Sequence, residues 1–190
     1  MEKQQLNRFV SKYNLAGLVE SVKWESKDGS LTTSFISDDK SVSLKFKDKS
    51  TSVNYMLADL SVIPNVPDLK QLPDFNAEIK LDSNFISTFI RAKGALQDEN
   101  NFTFTCKDNK GSIVLGYSNI NTNRINIDVD CTCKGDVAPI SYSATYLKEI
   151  LVANKEATDA TLKISSQGLA HISFSIDNYE SNYYLVEIQS

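Results

Sequence analysis

Three cysteines, one histidine and a set of lysines and arginines are the residues of this 190-residue chain whose types and spacing bear on chemistry. Cys131 and Cys133 offer soft sulfur ligands two positions apart, and Cys106 is a third. A structural zinc centre takes four ligands from Cys and His. Here His171 is the only histidine and no second close Cys pair exists. The spacing therefore reads as alternate positions of a strand, and neither metal nor other cofactor is expected. His171 alternates within a strand pattern with no nucleophile near it in sequence, which predicts a structural or surface role. There is no P-loop, no Gly-x-Ser-x-Gly and no metal-ligand set. Carboxylates are abundant but mark no acid/base pair. No catalytic residue is assigned, and the chain is not expected to be an enzyme.

The cations carry more information. Net charge is −4, which taken alone argues against a nucleic-acid binder. The three segments with a helical period (3–15, 83–93 and 143–156) hold seven basic residues: Lys3, Arg8, Lys12, Arg91, Lys93, Lys148 and Lys155. They hold two acidic ones, Glu149 and Glu156, so the rest of the chain sets 13 basic residues against 22 acidic. At 100° per residue, Arg8, Lys12, Arg91, Lys148 and Lys155 fall opposite the apolar stripes of their helices. Lys93 falls within its apolar arc and is expected to snorkel from the helix end. Lysine-rich helix surfaces are common for solubility alone. The same sign on three helices, with acidic strands and loops elsewhere, instead suits a protein that attracts phosphates to one face. Arg8, Lys12, Arg91, Lys93, Lys148 and Lys155 are the candidate phosphate-contacting residues.

These helices must be positioned by strands, because most of the chain alternates apolar and polar residues. Val42, Leu44 and Phe46 do so, as do Ala77, Ile79 and Leu81; Phe102, Phe104 and Cys106; Ile125, Ile127 and Val129; and Ala170, Ile172, Phe174 and Ile176. Turn signals stand at Lys27-Asp28-Gly29, Asp108-Asn109-Lys110-Gly111 and Gln167-Gly168. The helices present Leu6, Phe9, Val10 and Tyr13; Phe85, Ile86, Phe89 and Ile90; and Tyr146, Leu147, Ile150 and Leu151. Asp82 and Ser143 are placed to cap the second and third helices. The order, one helix then strands, occurs three times. Residues 59–74 hold three of the four prolines and read as a connector. No apolar run is long enough to span a bilayer, and the N-terminus shows no signal-peptide core. The odd, low cysteine count predicts a reducing, cytoplasmic setting rather than a disulfide framework.

In this order and spacing the chain resembles the DNA sliding clamps, including proliferating cell nuclear antigen and the clamps of tailed phages. The resemblance rests on Leu6-Asn-Arg-Phe through Ser41-Val-Ser-Leu-Lys-Phe and on Asn54-Tyr-Met-Leu-Ala-Asp-Leu-Ser-Val-Ile-Pro. It continues through Ala77-Glu-Ile-Lys-Leu-Asp-Ser-Asn-Phe, Asn123-Arg-Ile-Asn-Ile and Tyr146-Leu-Lys-Glu-Ile to Asn182-Tyr-Tyr-Leu-Val-Glu-Ile. It implies an α+β DNA-clamp fold, with antiparallel sheets outside and helices on one face. Three helix-plus-strands units are present where such a subunit has four. The implied domains are 1–58, a partial first clamp domain; 59–75, the connector; and 76–190, a complete second domain.

What the resemblance implies for function is a non-catalytic processivity factor that encircles duplex DNA without sequence preference and tethers a DNA polymerase. Its other implied partners are a clamp loader and copies of itself, three in a ring when full length; with the first unit missing, imperfect or non-ring association is expected. The implied subunit interface pairs Val53, Tyr55 and Leu57 with Arg124, Ile125 and Ile127. The implied groove for a partner peptide is formed by Val62, Ile63, Val66 and Leu69 with Tyr184, Leu185 and Val186, although these side chains would also serve simply to anchor the connector. The alternative reading is a protein-interaction or virion structural domain built from the same repeated units, since a fold does not dictate its use.

Overall fold

The computed structural model describes residues 3–19, 23–27, 30–34, 43–47, 52–56, 71–118, 123–177 and 179–188. Contacts divide the chain into two units, 19–70 and the remainder: 1–18 with 71–190. The first helix thus associates with the larger unit, although the sequence places it ahead of the connector.

The 19–70 unit contributes two antiparallel hairpins. Strand β1 (Lys23–Lys27) pairs with β2 (Ser30–Ser34), Lys27 opposite Ser30. Strand β3 (Ser43–Lys47) pairs with β4 (Ser52–Met56), Lys47 opposite Ser52. Leu57 and the connector residues Val62, Ile63, Val66 and Leu69 lie outside the described residues.

Among the described residues the larger unit is α+β, with three α-helices and one eight-stranded antiparallel sheet. The helices are α1 (Lys3–Asn14), α2 (Ser83–Ala95) and α3 (Ala144–Ala153). The strands are β5 (Ala77–Lys80), β6 (Asn101–Lys107), β7 (Lys110–Leu115), β8 (Ile125–Cys133), β9 (Val137–Ser143), β10 (Asp159–Ile164), β11 (Leu169–Ile176) and β12 (Tyr179–Val186). Their order across the sheet is β12-β11-β10-β5-β8-β7-β6-β9. Edge strands β12 and β9 come back towards each other, and the Ile188 N–H donates to the Ser141 carbonyl at 2.9 Å.

Local chemistry accounts for the element boundaries. Asp82 caps α2, accepting from the Phe85 N–H at 2.7 Å, and Ser143 caps α3, accepting from the Tyr146 N–H at 3.2 Å. The β6–β7 hairpin turns through Asp108 (φ 52) and Asn109 (φ 59), residue types that tolerate the left-handed region a tight two-residue turn demands. At the β7–β8 end Gly116 has φ +76, and a Cβ there would collide with the Asn123 carbonyl, so only glycine fits.

One face of the sheet is covered by the helices. Ala77 and Ile79, Phe102 and Phe104, Ile113 and Leu115, and Leu162, Ile164, Ala170 and Ile172 alternate inward and are buried. Phe89 of α2 is completely buried, edge-on to Phe102 at 5.6 Å and stacked on Phe85 at 6.1 Å. From α3, Leu147, Ile150 and Leu151 enter the same core. Tyr146, expected on that apolar face, is exposed instead, because α3 begins at Ala144 and turns its buried stripe through Ala144, Leu147 and Leu151.

Candidate nucleic-acid interface

The six candidate DNA-binding cations occupy three different kinds of surroundings. Arg91 is exposed on α2, its guanidinium 3.5 Å from the Thr88 hydroxyl one turn earlier. Lys155 is exposed just beyond α3. Lys148 is partly exposed on α3 and pairs with its neighbour Glu149 at 3.1 Å. These three stand on the solvent side of the two helices that pack against each other over the sheet.

Two others are structural. Lys93 is buried; its stem lies in the apolar arc and its ammonium donates to the Gln97 carbonyl at 2.7 Å, just past the end of α2. Lys12 corrects the helical-wheel expectation that it faces outward: it is only 6% exposed. Its ammonium donates to the Ala153 carbonyl at 2.5 Å and to Glu156 Oε1 at 2.6 Å. Meanwhile Phe9, Val10 and Tyr13, the expected apolar stripe, remain half-exposed. The reason is where α1 docks. Its polar side meets the C-terminal end of α3, where orphan carbonyls and the negative end of the helix dipole favour a cation.

Arg8 joins the same cluster, with Asp177 at 2.9 Å and Glu156 at 3.4 Å. Tyr183 of β12 completes it. Its hydroxyl donates to the Lys12 carbonyl at 2.6 Å, and the buried Asn154 amide donates to that hydroxyl at 2.9 Å and to the Ile150 carbonyl at 2.8 Å. Arg8 and Lys12 therefore fasten α1 to α3 and β12. A sequence signal for this was present in Lys155-Glu156, an acidic residue just past a helix C-terminus, but nothing local paired it with position 12.

This clasp predicts a pH-dependent stability. Burial pushes the Glu156 carboxyl up, but hydrogen bonds from Lys12 and Arg8 and the Lys12 charge outweigh it and hold the group below its ordinary 4.5. A depressed carboxylate contributes stability that is fully present above the unfolded value and is lost as pH falls through the folded one. Lys12→Met keeps the stem and removes the donor. It is expected to cost about 2 kcal/mol at neutral pH, less than the about 3–5 kcal/mol of a fully buried pair, because Glu156 remains 40% exposed. Urea melts at pH 7 and pH 3 check this: the gap between wild type and variant should narrow at pH 3.

The expected subunit-interface and peptide-groove positions fall on strands. Val53 and Tyr55 lie on β4. Ile125 and Ile127 lie on β8, with Arg124 immediately before it; Ile127 is buried. The Arg124 guanidinium donates to the Ser118 carbonyl at 2.8 Å and lies 6.0 Å from the Tyr117 ring centre. Strand β8 is shared: residues 125–130 pair with β7, while 131–133 pair with β5. Its first half thus has a hydrogen-bonded neighbour on one side only among the described residues.

On β12, Tyr184 and Val186 point to the outer face, Val186 73% exposed, whereas Leu185 is turned inward and buried. Tyr184 stacks on His171 at 4.7 Å, Phe75 lies 5.9 Å from the same imidazole, and His171 Nε2 is 2.9 Å from Asn182 Oδ1. His171 is thus an outer-face residue held between aromatic rings. Nearby, Gln71, Leu72, Pro73, Asp74, Gln167 and Leu169 line an open recess of about 520 Å³, and Leu169 is the cross-strand partner of Val186.

The cysteines depart from the expectation of separate thiols. Cys106 and Cys133 are joined as a disulfide, and Cys131 is a free thiol beside them. No described helix is long and apolar enough to cross a membrane.

No family profile and no curated protein matches the chain. Solved structures do. Proliferating cell nuclear antigen from Entamoeba histolytica superposes with a TM-score of 0.55 at 16% identity, covering 77% of this chain and 60% of its own. The DNA polymerase III beta chain of Streptococcus pneumoniae gives 0.57 at 21% identity, covering 80% and 41%. Proliferating cell nuclear antigen from Thermococcus kodakaraensis gives 0.55 at 12%, covering 85% and 66%. The chain therefore has a sliding-clamp-like fold, and it spans between 41% and 66% of the length of these proteins.

Proposed function

We propose that this protein is a sliding clamp, a non-catalytic DNA polymerase processivity factor that surrounds duplex DNA without reading its sequence. The observation that carries this reading is a pair of helices covering one face of a clamp-like sheet, with Arg91, Lys148 and Lys155 on their solvent side, in a chain whose net charge is −4. Phosphate contacts from such a face hold DNA without base readout, so the protein can move along it. Topology, rather than affinity, then supplies processivity. In this reading residues 1–58 are part of a first clamp domain, although α1 packs with the larger unit, 59–75 are its connector and 76–190 a second domain.

Self-association would use the side of β8 at Ile125–Asp128 that has no strand neighbour among the described residues, next to Arg124, against β4 of a second copy through Val53 and Tyr55. A polymerase or loader peptide would dock by the exposed Tyr184 and Val186 and the recess at Leu72 and Leu169. The test uses topology. The protein is equilibrated with nicked circular duplex and passed through a sizing column in high salt. Retention on the circle, lost when the circle is cut once, is the result a closed assembly of copies gives, and it would set aside the imperfect association expected from the missing first unit. Equal retention on circular and cut DNA would reduce the protein to an ordinary electrostatic binder. No retention on either, by folded protein, would favour an interaction or structural domain of the same fold.

A further inference from the structure

All three cysteines converge on one spot of the helix-bearing face, at the end of β6, β7 and β8. Cys131 and Cys133 are two apart on β8 and so face the same way, with their Sγ atoms 3.1 Å apart. Cys106 arrives from β6, two strands across, and its Sγ lies 3.6 Å from that of Cys131. The strand between them carries Gly111, opposite Cys106 on one side and Val129 on the other. A Cβ at Gly111 would stand 2.7 Å from Cys131 Sγ, so the missing side chain is what lets the sulfurs meet over β7.

We propose that Cys106, Cys131 and Cys133, when reduced, form a three-thiolate site for one thiophilic cation of the Cu⁺ or Zn²⁺ class. Their ligand atoms all lie within 4.8 Å of one another. Three sulfurs around one ion at about 2.3 Å sit roughly 4 Å apart, so small rotations suffice. Cys106 is buried and the other two are half-exposed, which leaves an entry path and room for a water as fourth ligand to Zn²⁺. Thiolates select soft ions of this class over harder ones.

The chemistry balances with a dithiol as reductant. It gives two electrons and two protons to the Cys106–Cys133 bond, producing two thiols, and is itself oxidised to a disulfide. Binding then releases three protons as three thiolates enclose the ion.

The test uses the whole protein, reduced with dithiothreitol, desalted without oxygen and titrated with Cu⁺ and separately with Zn²⁺. Bound ion per chain and the number of thiols alkylated by iodoacetamide are read, with circular dichroism as the check on folding. The expected result is one ion per chain, with the two half-exposed thiols, Cys131 and Cys133, alkylated before addition and neither after. Cys131→Ser should weaken binding by at least about ten-fold without changing the thermal midpoint. The proposal is overturned if reduced, folded protein binds neither ion at stoichiometric concentrations. It is equally overturned if Cys131→Ser binds as tightly as the wild type, since two thiols would then suffice.

Discussion

Replacing Arg91, Lys148 and Lys155 together by glutamine is expected to lower affinity for duplex DNA about a hundred-fold near 0.1 M salt and to reduce the log–log salt slope by about 2 to 3. Each phosphate neutralised contributes roughly 0.9 to that slope through counterion release. Arg91 and Lys155 are exposed and should contribute fully. Lys148 already shares its charge with Glu149 and should contribute less. The loss should be the same on unrelated sequences, because phosphate contacts carry no base information. Lys80 and Lys163 of the opposite face, the latter paired with Glu78 at 3.5 Å, provide the control: their replacement should leave the slope unchanged. Fluorescence anisotropy over a salt series measures both. A triple variant with unaltered slope would remove the helix face as the DNA surface. Lys12 and Lys93 are excluded from the set because their substitution would report on stability.

The second large effect concerns the platform that holds this face in place. Phe89→Ala is expected to destabilise the larger unit by about 4 kcal/mol, within the usual range for deleting a buried phenyl group. The ring is fully buried between Phe85 and Phe102, and Phe102 in turn contacts Tyr142 at 5.6 Å. Truncation therefore removes apolar burial and two aromatic contacts, and it leaves a void walled by β-sheet that cannot collapse inward. The thermal midpoint should fall by about 8–16 °C for a chain of this size. Phe89→Leu should recover more than half of the loss. A shift of only a degree or two would mean that α2 is not anchored through this ring, and that Arg91, half a turn further on, is not rigidly presented.

Much of this molecule is written locally. The apolar positions Phe85, Ile86 and Phe89, the caps Asp82 and Ser143, and the turn residues Asp108 and Asn109 identify helices, starts and turns, because each depends on neighbours within a turn or a hairpin. Charge sorting was equally visible, since it needs only the sequence and the helical period. What tertiary structure decided is the partner of each side chain. Lys12 looked solvent-facing on a helical wheel, but a wheel cannot show what lies across from it. The C-terminal end of α3, more than 140 residues away in sequence, accepts its ammonium and withdraws it from any DNA surface. The cysteines repeat the point: alternate positions on β8 are legible, but the arrival of Cys106 over Gly111 follows only once β6, β7 and β8 lie side by side. Periodicity is a property of consecutive residues, whereas an ion pair or a thiolate cluster depends on strand order and on where helices dock, both set by burial of the whole core.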